Sequence, residues 1–303
     1  MDKNEIIRKS YYDPAGHGSI NYTLKDAKAI DKTITYNDVK EWMRKNVENK
    51  RNLKGYNSFV ANAPYEEFQT DIGFFKDLKD PEYKAGLFII DIFTKYATVI
   101  PLKTNTWPDV LEALKKGFQK MEGKPQVIYS DQEGAWTNRE VQNYLENEHI
   151  KLITTLNHAH IVERLIRTLK NMIYKRIEAA EQNEGKVVRW IDVLYPVLLT
   201  YNRRMVHSTT KMTPYEAMQD KNHLDVLVNL ILASNYTRKY PPVKVGDKVR
   251  VFKKRRDFAK ERVSIWEPDD RTVEEITHFN NQPFYKVDGK HHQYSRSEIL
   301  LIH

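Results

Sequence analysis

The chain has 303 residues, a net charge of +8 and a pI near 9.2, with 40% hydrophobic and 11% aromatic residues. That suffices for one large domain with small ones beside it, and it favours a polyanionic partner: nucleic acid first, an anionic membrane second. The absence of cysteine excludes disulfides, thiol catalysis and cysteine-ligated zinc. The first residues show no apolar run of a secretory signal, and nowhere do 18 uncharged apolar residues follow one another, so a soluble intracellular protein is expected.

Residues 1–60 read as a small helical domain. "TYNDVKEWMRKN" sets Val39, Trp42 and Met43 on one face at amphipathic-helix spacing, and Thr35 with Asp38 supplies a start signal. A helical support and a helix-turn-helix DNA reader fit this stretch equally well.

Residues 61–220 alternate strands and helices. "EEFQTDIGFF" is a strand candidate, "AGLFIIDIF" is apolar throughout as a buried central strand should be, and "YATVIPLK" follows closely. An antiparallel meander is expected. Thr106 and Pro108 open a helix that Gly123 closes, "PQVIYSD" is a short buried strand, Asn138 caps a second helix, and "KLITTL" is a further strand. It leads into "HIVERLIRTLKNMIYKR". The order is β-β-β-α-β-α-β-α. "WIDVLYPVLLTYNRR" is a helix with a kink expected at Pro196, and "TPYEAM" is a capping box. Residues 221–239 read as a helical linker. Residues 240–303 show turn chemistry at Gly246–Asp247 and then short alternating strands, as in a small all-β barrel.

The basic helix after the last core strand carries Arg164, Arg167, Lys170, Lys175 and Arg176 around one acid, Glu163. At about 100° per residue, Ile161, Leu165, Leu169 and Met172 share the core face, flanked by Val162, Ile166 and Ile173. Glu163, Arg167, Lys170 and Tyr174 fall opposite. An i,i+4 ion pair between Glu163 and Arg167 explains such an acid by itself. Two further acids argue for more. Asp71 lies within a strand, where aspartate is disfavoured. Asp131 ends a strand, where active sites of α/β sheets lie. Three converging carboxylates call for cations. All-oxygen ligands select Mg²⁺ or Mn²⁺, and two such ions about 4 Å apart suit in-line phosphodiester displacement. Arg164, Arg167 and Lys170 would then hold DNA phosphates. Asp91 competes with Asp71 for the first position.

The blocks "FQTDIGFF", "FIIDIFTKYATVIPLK", "IYSDQEGAWTN" and "NHAHIVERLIRTLK" resemble, in order, those of the retroviral-type integrase core, a ribonuclease-H-like fold with a DDE triad. "YNRRMVHSTTKMTPYEAM" is similar to the family's next segment, and residues 240–303 to its C-terminal barrel of Src-homology or chromodomain type. The resemblance implies an α/β core with a mixed five-stranded sheet, and it assigns the triad to Asp71, Asp131 and Glu163, with Asp91 outside it. It further implies DNA 3′-end processing and strand transfer with two Mg²⁺ or Mn²⁺ ions, double-stranded DNA as partner, and work as a homo-oligomer, a dimer or tetramer on DNA. In a eukaryotic host the nucleus would be its place. The interval from Asp131 to Glu163 is shorter than in most retroviral members, and "NHAHIVER" and "QEGAW" depart from the usual blocks. These variants look more like integrases of Maverick/Polinton transposons and virophages. The family's zinc-binding N-terminal domain has no counterpart in a chain without cysteine.

In the C-terminal part, Arg250, Lys253, Lys254, Arg255 and Arg256 form a candidate backbone-contact patch; a solvated basic edge is the plainer reading. Trp266, Phe284 and Tyr285 suit barrel packing better than an aromatic cage. Two other functions stay open: a DNA-binding architectural protein on a retired core, and a nuclease of the same fold.

Overall fold

The computed structural model describes residues 2–13, 19–46, 60–75, 78, 80–131, 134–155, 159–185, 187–235, 241–253, 265–279 and 282–302. It falls into two compact units, Met1–Tyr56 and Asn57–Ile302.

In the first unit, α1 (Lys3–Tyr12), α2 (Ile20–Ile30) and α3 (Tyr36–Asn46) close over Ile6, Ile7, Ala27, Ile34, Val39 and Trp42. The start signal of α3 is reciprocal. Thr35 N–H donates to Asp38 Oδ2 at 2.8 Å, and Asp38 N–H donates to Thr35 Oγ1 at 3.2 Å. Those bonds hold the Asp38 carboxyl below its ordinary range.

In the second unit, β1 (Glu67–Phe74), β2 (Ala85–Asp91) and β3 (Ala97–Leu102) form the antiparallel meander. The strands β4 (Val127–Asp131) and β5 (Lys151–Thr155) add in parallel on the other side of β1, giving the sheet order β3-β2-β1-β4-β5. Every residue of β2 is buried, as its apolar run requires. One sheet face packs on α4 (Trp107–Lys120) and α5 (Arg139–Asn147) through Phe68, Ile72, Leu87, Val110, Leu114 and Val141. The other packs on α6 (His160–Glu184) and α7 (Trp190–Arg204). Here α6 buries Val162, Leu165, Leu169, Ile173 and Ile177. That stripe is centred on Val162 rather than Ile161, a small rotation from the wheel expectation, with consequences for the site.

After α7 the Thr213 capping box forms and starts the one-turn α8 (Pro214–Ala217). The segment expected as a linker contains α9 (His223–Asn235), which sinks Val226 and Leu230 into the same core as α6 and α7. It therefore packs as part of the core. Five antiparallel strands follow: β6 (Lys248–Val251), β7 (Arg271–Phe279), β8 (Gln282–Val287), β9 (Gln293–Ser295) and β10 (Ile299–Leu301), in the order β10-β6-β7-β8-β9. Trp266, Phe284 and Tyr285 are each no more than 4% exposed, so none walls an open cage. Among the described residues, no helix is long and apolar enough to cross a membrane.

This second sheet meets the first along polar contacts. Thr155 Oγ1 donates to Glu298 Oε1 at 2.7 Å, and Gln282 Nε2 donates to Glu67 Oε2 at 3.1 Å. The Lys151 ammonium sits 4.3 Å from the Phe279 ring centre.

Candidate active site

Strand parity sets the site. Side chains alternate along a strand, so Glu67, Gln69, Asp71 and Gly73 share one face of β1. That face is the α6 face, because Gln69 and Asp71 oppose Ile90 and Phe88, which lie in the α6 core. In β4 the parallel register pairs Gln69 with Tyr129 and Thr70 with Ser130. Asp131 is therefore the neighbour of Asp71 in the next row, on the same face.

The helix arrives by three hydrogen bonds. The first residue before α6, Ala159, offers no side-chain cap. Its N–H donates instead to Asp131 Oδ1 at 3.0 Å. The N–H groups of Ile161 and Val162 both donate to Gln69 Oε1, at 3.1 and 3.3 Å. A helix start leaves such donors open, and here two core strands satisfy them.

The result is a cavity of about 450 Å³ lined by Asp71, Ile72, Gly73, Phe74, Glu163, Ile166 and Lys170. Thus Asp71 and Glu163 are brought together. Asp131 stands at its edge in register and is tied to Ala159. No three His, Asp or Glu among the described residues stand close enough together to hold a metal ion. The donor set is all carboxylate and suits a hard divalent cation in type, with two of the three acids already facing one space.

The basic file of α6 splits. Glu163, Ile166 and Lys170 lie along the cavity, where the wheel had grouped Arg167 with Lys170. Lys170 Nζ donates to the Phe74 carbonyl and lies 5.3 Å from the Phe75 ring centre, so it is a wall of the cavity rather than a loose surface cation. Arg164 and Arg167 face solvent. His160 Nδ1 is 3.9 Å from Glu163 Oε2. In the second sheet, Arg250 Nε donates to Asp270 Oδ1 at 2.8 Å, which offsets part of that patch's charge. Lys253 follows β6; Lys254, Arg255 and Arg256 lie outside the described residues.

Asp91 has a different role. It is fully buried, and its oxygens accept the N–H groups of Tyr65, Phe93 and Thr94 at 2.7, 2.7 and 2.8 Å. It fastens the β2–β3 turn.

Sequence reasoning passed over Gln69. Its signal was legible: the polar series Glu67, Gln69, Asp71 alternates with Phe68, Thr70 and Ile72. Glu67 is buried, and burial pushes its carboxyl up to about 8. Burial likewise pushes the nearby Lys95 ammonium down to about 8.

Comparison with known proteins bears on this arrangement. Residues 61–158 match the integrase core domain. The chain is 31% identical over 152 residues to the retrovirus-related Pol polyprotein from transposon 297 of Drosophila melanogaster, covering 50% of this chain and 14% of that protein. It is 27% identical over 182 residues to a transposon-derived protein of Caenorhabditis elegans, covering 59% of each. The chain thus spans less than two thirds of either relative. A simian T-cell lymphotropic virus intasome, solved in complex with the PP2A regulatory subunit B56 gamma, superposes with a TM-score of 0.59 at 15% identity, over 98% of this chain and 99% of that one. At that identity the likeness speaks to fold. The matched residues carry the five strands of the first sheet with α4 and α5, an arrangement similar to that of an integrase core.

Proposed function

We propose that this chain is a DNA integrase that processes the 3′ ends of a mobile element and joins them to target DNA. One observation carries the reading: Asp71 and Glu163 face a shared cavity, with Asp131 beside Asp71 on the adjacent strand of an integrase-type core. These three residues would hold two Mg²⁺ or Mn²⁺ ions. The ions would sharpen the attacking oxygen and neutralise the leaving one.

The chain's own groups do the rest. The carboxylates fix where the scissile phosphate sits, and Lys170 places a cation on the wall of the same cavity. Arg164 and Arg167, exposed on α6, would grip the DNA backbone, with Arg250, Lys253, Lys254, Arg255 and Arg256 as a second contact. In processing, the oxygen of water forms a P–O bond as the bond from phosphorus to the 3′ oxygen breaks; one water proton goes to that oxygen, freeing a 3′-hydroxyl, and the other leaves the new 5′-phosphate. In joining, that hydroxyl attacks the target phosphodiester. One P–O bond forms as another breaks, so no external energy source is needed. The protein would work as a dimer or tetramer on double-stranded DNA, in the nucleus where the host has one. The blocks around Asp131 and Glu163 favour an element of Maverick/Polinton type.

The test is a labelled short duplex incubated with Mg²⁺ or Mn²⁺. Joined products longer than the input are expected. Shortened products alone would support a nuclease, and bound but unchanged DNA an architectural protein.

A further inference from the structure

We propose that Gln69 is a positioning residue: it hangs the first turn of α6, and with it Glu163, from β1 beside Asp71. The inference rests on the reading of Asp71 and Glu163 as metal ligands.

The geometry runs as a chain of contacts. Gln69 Oε1 accepts from Ile161 N–H and Val162 N–H at 3.1 and 3.3 Å. The residue at the helix start, Ala159, contributes no side-chain cap. A cap from within α6 would fix only the helix to itself. A cap from β1 fixes the helix to the strand that bears Asp71, two residues further along the same face. Two residues earlier on the same face, the Glu67 carboxyl accepts Gln282 Nε2 at 3.1 Å. Gln69 is 9% exposed and Glu67 3%, so water competes little for either group.

Gln69 touches no reacting atom in this scheme. It acts on the separation of two ligands borne by different elements, where small errors weaken metal binding strongly.

The test compares Gln69→Met, which keeps length without the acceptor, with Gln69→Glu, which keeps an acceptor at the same reach. Mn²⁺ uptake is followed by loss of the free-ion paramagnetic resonance signal, with and without a short duplex, and strand joining is measured alongside. Asp71→Asn and Glu163→Gln serve as controls. In Gln69→Met the Mn²⁺ needed for half-occupancy should rise about tenfold, the scale of lost ligand support. The KM for DNA should stay within twofold of wild type while kcat falls. Gln69→Glu should restore Mn²⁺ uptake to within about threefold of wild type, since the acceptor is what matters.

A folded Gln69→Met protein with wild-type Mn²⁺ uptake overturns the proposal. If that variant does not fold, Gln69→Glu decides: wild-type uptake supports the role, and uptake as weak as in Glu163→Gln overturns it. Wild-type protein whose Mn²⁺ uptake is unaffected by Asp71→Asn and Glu163→Gln removes the metal-site reading and this inference with it. Intact sensitivity to those two controls with indifference to Gln69 removes only the inference.

Discussion

Asp131 Oδ1 lies 3.0 Å from the backbone nitrogen of Ala159 and accepts its N–H. One carboxylate of the proposed triad thereby ties the end of β4 to the start of the helix that carries another. The same side chain would serve as ligand and as anchor. Asp131→Asn keeps an acceptor oxygen for Ala159 and loses the charge. It should fold normally and lose joining activity by about a thousandfold or more, as removal of a charge-stabilising group does. Asp71→Asn and Glu163→Gln should behave alike. Fluorescence anisotropy on a short duplex should show DNA affinity within about threefold of wild type for all three, because Lys and Arg contacts set it. Any of them retaining full activity would remove that residue from the triad.

Asp91 should respond in the opposite way. Its carboxyl satisfies three backbone donors, two of them buried and one part-buried. Asp91→Ala leaves them open, at a cost of about 3 kcal/mol or more. Urea denaturation reads this directly. The protein that still folds should keep the Mn²⁺ dependence of wild type. Unchanged stability with lost activity would return Asp91 to the list of ligands.

Gly73 lines the cavity and lies beneath Phe88. A Cβ there would come within 2.5 Å of Phe88 Cε2. Gly73→Ala should cost about 1–3 kcal/mol by overpacking and depress joining further than the stability loss explains. A melting temperature equal to wild type would show that Phe88 yields freely.

Glu67 makes a pH prediction. Burial holds its carboxyl at about 8 against an ordinary 4.5. Between those values the folded protein keeps a proton that the unfolded chain has released, so stability falls as pH rises across that window. His207, pushed by burial from 6.5 down to about 4, adds the opposite slope between those lower values. The difference between wild type and Glu67→Gln isolates the first effect. Wild type should lose ground to the variant steadily from about pH 5 to pH 8, measured by urea unfolding at each pH. A constant gap across the series contradicts the burial-driven shift.

The patterns that reveal a face were legible in the sequence. The all-apolar run of β2 announced a strand covered on both sides, and the alternation in β1 put Asp71 opposite Phe68 and Ile72. The capping signals at Thr35, Asn138 and Thr213 formed as read. What a face meets was not legible. Nothing local says that Gln69 reaches Ile161, that Thr155 meets Glu298, or that α9 buries Val226 and Leu230 beside α6. Those are pairings between distant segments, fixed by packing. The separation of Arg167 from Glu163 and Lys170 has the same origin. A helix wheel gives angles about an axis, and the packing of α6 on the sheet decides which of those side chains turn to the cavity.

The most direct measurement is anomalous diffraction from crystals of the protein equilibrated with Mn²⁺. The account predicts manganese peaks about 2.2 Å from carboxylate oxygens of Asp71, with Asp131 and Glu163 completing the oxygen ligands. Manganese bound elsewhere, with those three carboxylates turned to separate protein partners, would contradict it.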